Sequence, residues 1–423
     1  MNKIYLNNFR GFSNTEVPIS DINFLVGENS TGKTSLLKLL DLMSANEFWL
    51  AGVFRKTDVD FNFFGDVHTK NDNGDKTVVG LSYISNEKEE NRYAFELGED
   101  ENHNTRINSI KFSFNKNDVQ INVDTKGEIK YSVSKNIKSF KSFSAWCRDW
   151  NDSEGLKVAG DHQRFTHYGK SPYFMISEII SVLPDEPKSK SKSNIIPFDQ
   201  IMDDYKWIAP IRVKPQKTYD ENMYDYSSDG SHAPYLLKRI MGKRTKKSQE
   251  IISALRKFGK EGNLFDDLTV KEFGEDGNSP FAIELLFNDK SRQITNVGYG
   301  VSQVLPIVIE VLNSGKGKFA IQQPEVHLHP RAQASFGGFI YDAAMSNSKF
   351  VIETHSDFVV DRFRQQLSKK PIPNSSQVLF FERTKNGNKV YSIPILENGL
   401  YSGNQPKKFR DFFYNEALKN LSI

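Results

Sequence analysis

The segment Gly27-Glu28-Asn29-Ser30-Thr31-Gly32-Lys33-Thr34 fills the pattern G-x-x-x-x-G-K-[ST] at every fixed position. The glycines let backbone N–H groups wrap the α- and β-phosphates of a nucleotide, and the start of a following helix adds a positive dipole. Lys33 has the reach for the β/γ-phosphates, and the Thr34 hydroxyl is a ligand for Mg2+. With the adjoining Ser35, the expected phosphate-binding residues are Gly27, Asn29, Ser30, Thr31, Gly32, Lys33, Thr34 and Ser35.

Three further groups stand in the last third of the chain. Asn296-Val297-Gly298-Tyr299-Gly300-Val301-Ser302-Gln303 puts two glycines and a serine ahead of a helical stretch, the composition of a second anion site or of a plain helix cap. Lys318-Phe319-Ala320-Ile321-Gln322-Gln323-Pro324-Glu325 is an apolar strand ending in polar residues. The carboxyl end of such a strand is where an α/β nucleotide enzyme places its metal and water groups. Glu353-Thr354-His355-Ser356-Asp357 follows an apolar strand at 350–352, and His355 there can donate to a γ-phosphate. His327 and His329 stand two apart; without a third ligand at matching spacing they read as polar residues of a turn.

The elements that must position these groups follow from periodicity. Lys3 to Phe9 and Ile22 to Val26 read as strands, and Leu36, Leu37, Leu39, Leu40 and Met43 recur at helical spacing from Lys33. Residues 76–134 alternate apolar with polar between Asn, Asp and Gly turns, which predicts an antiparallel meander solvated on one face. The lysine–serine stretch at 185–193 reads as an exposed loop, and 235–258 as helical. Strands at 281–287, 318–321 and 350–352 alternate with helices at 301–312 and 331–345, and a hairpin is expected over 378–381 and 389–395. The class is α/β. We divide the chain into 1–134, 135–284 and 285–423: a first core part with a β lobe, an inserted helical or partner-binding region, and a second core part.

Composition bounds the function. Of 423 residues 38% are apolar, which excludes global disorder, and a net charge of +3 excludes binding driven by a charged tail. One basic run remains, Lys238 to Lys247; it is either a solvated helix face or a phosphate-backbone contact through Lys243, Arg244, Lys246 and Lys247. A single cysteine, Cys147, excludes an intrachain disulfide framework. No apolar run reaches the length of a membrane span, and the first ten residues lack a signal peptide's apolar stretch, so a cytoplasmic location is expected.

In this order, the motifs resemble the ABC-type ATPase head, in the branch containing the overcoming-lysogenization-defect (OLD) ATPases and the Septu and retron-associated defence ATPases. Gly27 to Thr34 is similar to Walker A, Gly298 to Gln303 to the signature motif, Phe319 to Glu325 to Walker B, His327 to Pro330 to the D-loop region, and Thr354-His355-Ser356 to the switch histidine. Asn8 to Phe12 and Ile208-Ala209-Pro210-Ile211-Arg212 also recur in such proteins. The resemblance covers 1–45 and 285–423. It implies a P-loop ABC-type ATPase head with an antiparallel β lobe and a helical lobe inserted between Walker A and signature.

It also implies ATP and Mg2+ as cofactors and an ATP sandwiched between two copies, with Gly300, Ser302 and Gln303 of one copy on the γ-phosphate held by Lys33 of another. Gln322 and Gln323 occupy the places of the usual acidic Walker B pair. An amide oxygen ligates Mg2+ weakly and is no base near neutral pH, so Glu325 is the nearest carboxylate and slow hydrolysis is expected. Metal groups are thus Thr34 and Gln322, and catalytic groups Glu325, Gln323 and His355. OLD enzymes carry a toprim nuclease after the head; residues 357–423 are too few for one. A nuclease is therefore expected as a separately encoded partner, of HNH type as in Septu systems, with the chain as the ATPase subunit of an anti-phage complex. The rivals are a stand-alone DNA-repair or chromosome-maintenance ATPase acting on DNA and, less favoured, a transporter ATPase.

Overall fold

The computed structural model describes residues 2–56, 59–69, 76–84, 90–114, 117–123, 129–135, 142–150, 157–158, 170–182, 205–220, 223, 225–275, 279–403 and 405–411. The lysine–serine stretch at 185–193 lies outside the described residues. The chain falls into two compact units. One comprises Met1–Ile19, Glu28–Asp204 and Phe381–Ser392; the other comprises Ser20–Gly27, Tyr205–Phe380 and Ile393–Ile423.

The first unit is built on an eight-stranded antiparallel sheet. Its order is Lys157–Val158, Ile129–Lys135, Asn117–Val123, Thr105–Phe114, Glu90–Glu99, Thr77–Ile84, Lys3–Asn7, Thr15–Pro18. The meander expected over 76–134 forms the middle of this sheet, paired in sequence order as hairpins. Period-two alternation sends neighbours to opposite faces. Ala94 packs with Tyr5, Val78, Phe143, Trp146 and Cys147 under the helix Phe143–Arg148, while the next residue, Phe95, meets Phe48 and Trp49 edge-on at 5.3 and 5.6 Å. Both faces of the middle strands are therefore covered, where solvation of one face was expected. Lys111 points into the Trp146 face and is kept satisfied there, its Nζ donating to the Trp146 carbonyl at 3.1 Å. On the other side, the helix Lys33–Met43 buries Leu36, Leu37, Leu39, Leu40, Leu42 and Met43.

The second unit carries the strands Tyr205–Ile208, Lys318–Gln322, Lys349–Glu353 and Ile22–Gly27, neighbours in that order and parallel throughout. Ser376–Thr384 and Gly387–Ile395 complete a six-stranded sheet, with residues 381–392 of these two strands counted in the first unit. The parallel strands read as continuous apolar runs because both faces are buried. Helices Tyr299–Ser314, Pro330–Met345 and Asp357–Lys369 alternate with them along the chain. The helix expected over 235–258 is two helices, Ala233–Gly242 and Lys246–Glu261. Thr245 separates them by capping the second, its hydroxyl accepting from the Ser248 N–H at 3.2 Å. Among the described residues no helix is long and apolar enough to cross a membrane.

Candidate nucleotide site

The fully buried strand Ile22–Gly27 runs into the loop Glu28–Gly32, and the helix Lys33–Met43 follows. Gly32 is the helix N-cap at φ 96°, and a Cβ there would lie 2.3 Å from the Phe12 ring, so the chain can turn here only with glycine. Ser30 also sits at positive φ, 60°, and its carbonyl accepts from Arg383 Nη2 at 2.8 Å. Thr31 Oγ1 and Lys33 Nζ both donate to the Glu28 carbonyl, at 2.8 and 2.7 Å. Ser35 Oγ accepts from Arg10 Nε at 3.0 Å, and Asn29 stands exposed at the loop tip. The helix start has no side-chain cap and no acidic residue in its first turn. A helix N-terminus of this kind, with Lys33 and Thr34 as its first residues, fits a phosphate group and a Mg2+-ligating hydroxyl.

The second unit brings the later motifs together. Gln322 ends its strand in register with Glu353 on the neighbouring strand. Gln323 takes a left-handed φ of 44°, and its N–H donates to the Glu353 carbonyl at 2.8 Å. This turn leads to Glu325, which is half-buried. Its Oε2 accepts from Thr354 Oγ1 at 2.9 Å and its Oε1 from the His355 N–H at 2.7 Å. Burial pushes the Glu325 carboxyl above the usual carboxylate range; these hydrogen bonds and the nearby Arg212 charge oppose the rise only in part. The His355 side chain is exposed. Ser356 Oγ donates to Gln333 Oε1 at 2.6 Å and caps the helix Asp357–Lys369.

Gly298 caps the helix Tyr299–Ser314. A Cβ on Gly300 would lie 2.4 Å from the His327 carbonyl oxygen, so this close approach requires glycine. Ser302 is buried, its hydroxyl turned onto the Tyr299 carbonyl at 2.7 Å. Gln303 clasps the main chain of Arg212 on both sides: Arg212 N–H donates to Gln303 Oε1 at 3.3 Å, and Gln303 Nε2 donates to the Arg212 carbonyl at 3.4 Å. The Arg212 guanidinium donates from Nη2 to the Gln322 carbonyl at 3.0 Å. His327 stacks its ring edge-on against Tyr299 at 4.9 Å, and His329 caps the helix Pro330–Met345.

Sequence reasoning missed two residues here. Glu353 is a carboxylic acid at the carboxyl end of an apolar strand, the same signal that singled out Gln322. Arg212 closes the Ile208-Ala209-Pro210-Ile211-Arg212 segment, and nothing in its spacing announces that it is buried.

The basic run is divided. Lys238 is largely buried, donating to the Ser279 carbonyl at 3.0 Å and pairing with Glu272 at 3.2 Å. Lys243, Arg244, Lys246 and Lys247 are exposed around the break between the two helices, and Lys247 Nζ donates to the Asn313 carbonyl at 3.0 Å.

A phosphate loop after a buried parallel strand, with polar groups at the ends of neighbouring strands, defines a P-loop ATPase head of α/β class with a large antiparallel sheet. The AAA ATPase domain family model matches residues 1–360, and the chain belongs to that family. Family membership carries nucleotide binding with a divalent metal. Comparison with curated proteins finds no match. Among solved structures, the chain is similar to the SMC head domain from Thermotoga maritima at 10% identity and a TM-score of 0.41, over 92% of this chain and 98% of that one. It is also similar to an Smc head bound to the C-winged helix domain of ScpA, at 12% identity and a TM-score of 0.45, over 93% and 97% of the two chains.

Proposed function

We propose that the chain is an ATP-binding, slowly hydrolysing ABC-type ATPase subunit of a bacterial anti-phage defence complex. In this reading it self-associates through ATP and holds a separately encoded nuclease. The observation that carries the ATPase part is the grip of Thr354 and His355 on Glu325. It fixes one carboxylate at a strand end whose two preceding polar residues are amides. Glu325 is the group to take a proton from water. His355, exposed beside it, is a donor for a γ-phosphate. Gln323 positions the turn through its N–H.

Lys33, Thr34 and the N–H groups of Asn29 to Ser35 hold the phosphates, and Thr34 supplies the loop's oxygen for Mg2+. A Mg2+ ion held there would supply positive charge against the charge that develops on the phosphates. At the strand ends Gln322 offers an amide oxygen, and Glu353, in register beside it, adds a carboxylate that the Gln pair lacks. Gly300 and Ser302 cap the γ-phosphate of a second copy, and Gln303, whose amide is committed to the Arg212 main chain, steadies their helix. The whole works in the cytoplasm.

The defence part rests on the resemblance of the motif set. Its test is expression with the native chromosomal neighbours, affinity capture with ATP present, and mass spectrometry. A stoichiometric nuclease supports the reading; the protein alone or with DNA only overturns it. A second reading, a chromosome-maintenance ATPase acting directly on DNA, is favoured by the exposed Lys243, Arg244, Lys246 and Lys247. Neutralising these four would then weaken DNA binding and flatten its salt dependence.

A further inference from the structure

We propose that Arg212 is a positioning residue for Glu325, tying the helix that carries Gly300, Ser302 and Gln303 to the carboxylate at the end of the Lys318–Gln322 strand. The inference rests on the ATPase reading above and extends it to a residue that reading leaves without a role.

Three observations carry it. First, the chain buries the wrong residue by transfer cost. Ile211 is 81% exposed while Arg212 is 1% exposed. Burying a guanidinium costs far more than burying an isoleucine, so the arrangement persists for what the charge does inside. Second, the guanidinium is only partly satisfied. Nη2 bonds the Gln322 carbonyl, while Nε and Nη1 have no hydrogen-bond partner among the described residues. Its charge is therefore directed at its surroundings rather than neutralised in a fork. Burial lowers the Arg212 pKa to about 10, with the negative charge of Glu325 the foremost opposing influence, so the side chain remains a cation at neutral pH. Third, its main chain is held from both sides by the amide of Gln303, next to Ser302.

The contacts form one line. Ser302 and Gln303 lead to Arg212, Arg212 to the Gln322 carbonyl and the field at Glu325, and Glu325 to Thr354 and His355. A phosphate engaging the Ser302 end of the helix is thereby sensed at the carboxylate. The groups facing Glu325 and Arg212 are His355 and Thr354 after the Lys349–Glu353 strand, and Tyr299 on the signature helix. A base must be ionised to act, so hydrolysis rises with pH through the Glu325 titration, and loss of the Arg212 charge moves that limb to higher pH.

The experiment is single-turnover ATP hydrolysis with Mg2+, followed across the acid-to-neutral range in the full chain, beside equilibrium binding of a fluorescent ATP analogue. For Arg212→Met the expected result is binding within about threefold of wild type, a rate lowered about 10-fold or more, and a rising limb displaced upward. Arg212→Lys should keep the limb at its wild-type position with a reduced rate, because it keeps the charge and loses the planar head. If Arg212→Met does not melt cooperatively, Gln303→Leu takes its place; it frees the clasped main chain and should move the limb the same way. A limb that stays put in every folded variant overturns this inference alone. So does wild-type protein that binds ATP without hydrolysing it. Wild-type protein that binds no ATP overturns the ATPase reading and this inference together.

Discussion

The backbone N–H of His355 donates to Oε1 of Glu325 at 2.7 Å, so the segment that bears the exposed histidine also orients the carboxylate. Because amides fill the two preceding polar positions, hydrolysis should depend on this one side chain. Glu325→Gln keeps the shape but only one of the two acceptor oxygens that Thr354 and the His355 N–H use, and it cannot take a proton. It should lower turnover about 100-fold or more while ATP binding persists. Unchanged turnover, measured by phosphate release, would remove Glu325 as the base.

The same carboxyl has a stability signature of definite sign. Burial raises its pKa in the folded state, so the fold favours the protonated form. The contribution is full below the unfolded pKa and is lost as pH rises through the folded value. Thermal melts should therefore show Glu325→Gln gaining stability relative to wild type at neutral pH, with the gain vanishing in acid. An equal difference at all pH values would contradict the shift.

Glu310 behaves in the opposite sense. Burial alone would push its carboxyl up, but His232 Nε2 at 2.9 Å and Lys206 Nζ at 2.6 Å bring it below the usual carboxylate range. Its contribution is present above the unfolded pKa and is lost as pH falls through the folded value. Glu310→Gln leaves the half-buried Lys206 without its counter-charge and takes the carboxylate partner from the buried His232, and removing one partner from a fully buried pair costs about 3–5 kcal/mol. The exposure of Lys206 places this case at or below the lower end, so a melting temperature lowered by several degrees at neutral pH is expected, with little difference in acid.

Two glycines separate the two halves of the nucleotide reading. Gly32→Ala forces a left-handed φ on alanine and drives its Cβ into the Phe12 ring, so ATP affinity should fall and stability with it, by about 1–3 kcal/mol from backbone strain alone. Gly300→Ala pushes against the His327 carbonyl instead. It should leave ATP affinity near wild type and impair turnover. Equal loss of affinity in both variants, by titration calorimetry, would argue against separate roles.

The phosphate loop was legible because its chemistry is local: glycine spacing, an apolar strand before it and a helical repeat after it specify the turn at Gly32. The antiparallel meander was legible from alternation. That both its faces are covered was not, since the cover comes from Phe48, Trp49 and the distant helix Phe143–Arg148. Periodicity over 235–258 predicts one helix because it continues across the break, which Thr245 makes by capping. Glu325 was found by elimination, but its grip by Thr354 and His355 depends on parallel strands more than twenty residues apart. Arg212 was illegible as a functional residue, because only burial distinguishes it from a surface arginine.

In the proposed function ATP joins two copies, with Lys33 of one copy and Ser302 of another on the same nucleotide. Sedimentation velocity with and without ATP and Mg2+ tests it most directly. Wild type should shift to a larger species with ATP, Lys33→Ala and Ser302→Arg should each fail to do so, and an equimolar mixture of the two variants should recover part of the shift. A wild-type protein whose sedimentation ignores ATP, or a Ser302→Arg variant that associates as wild type does, would contradict the claim.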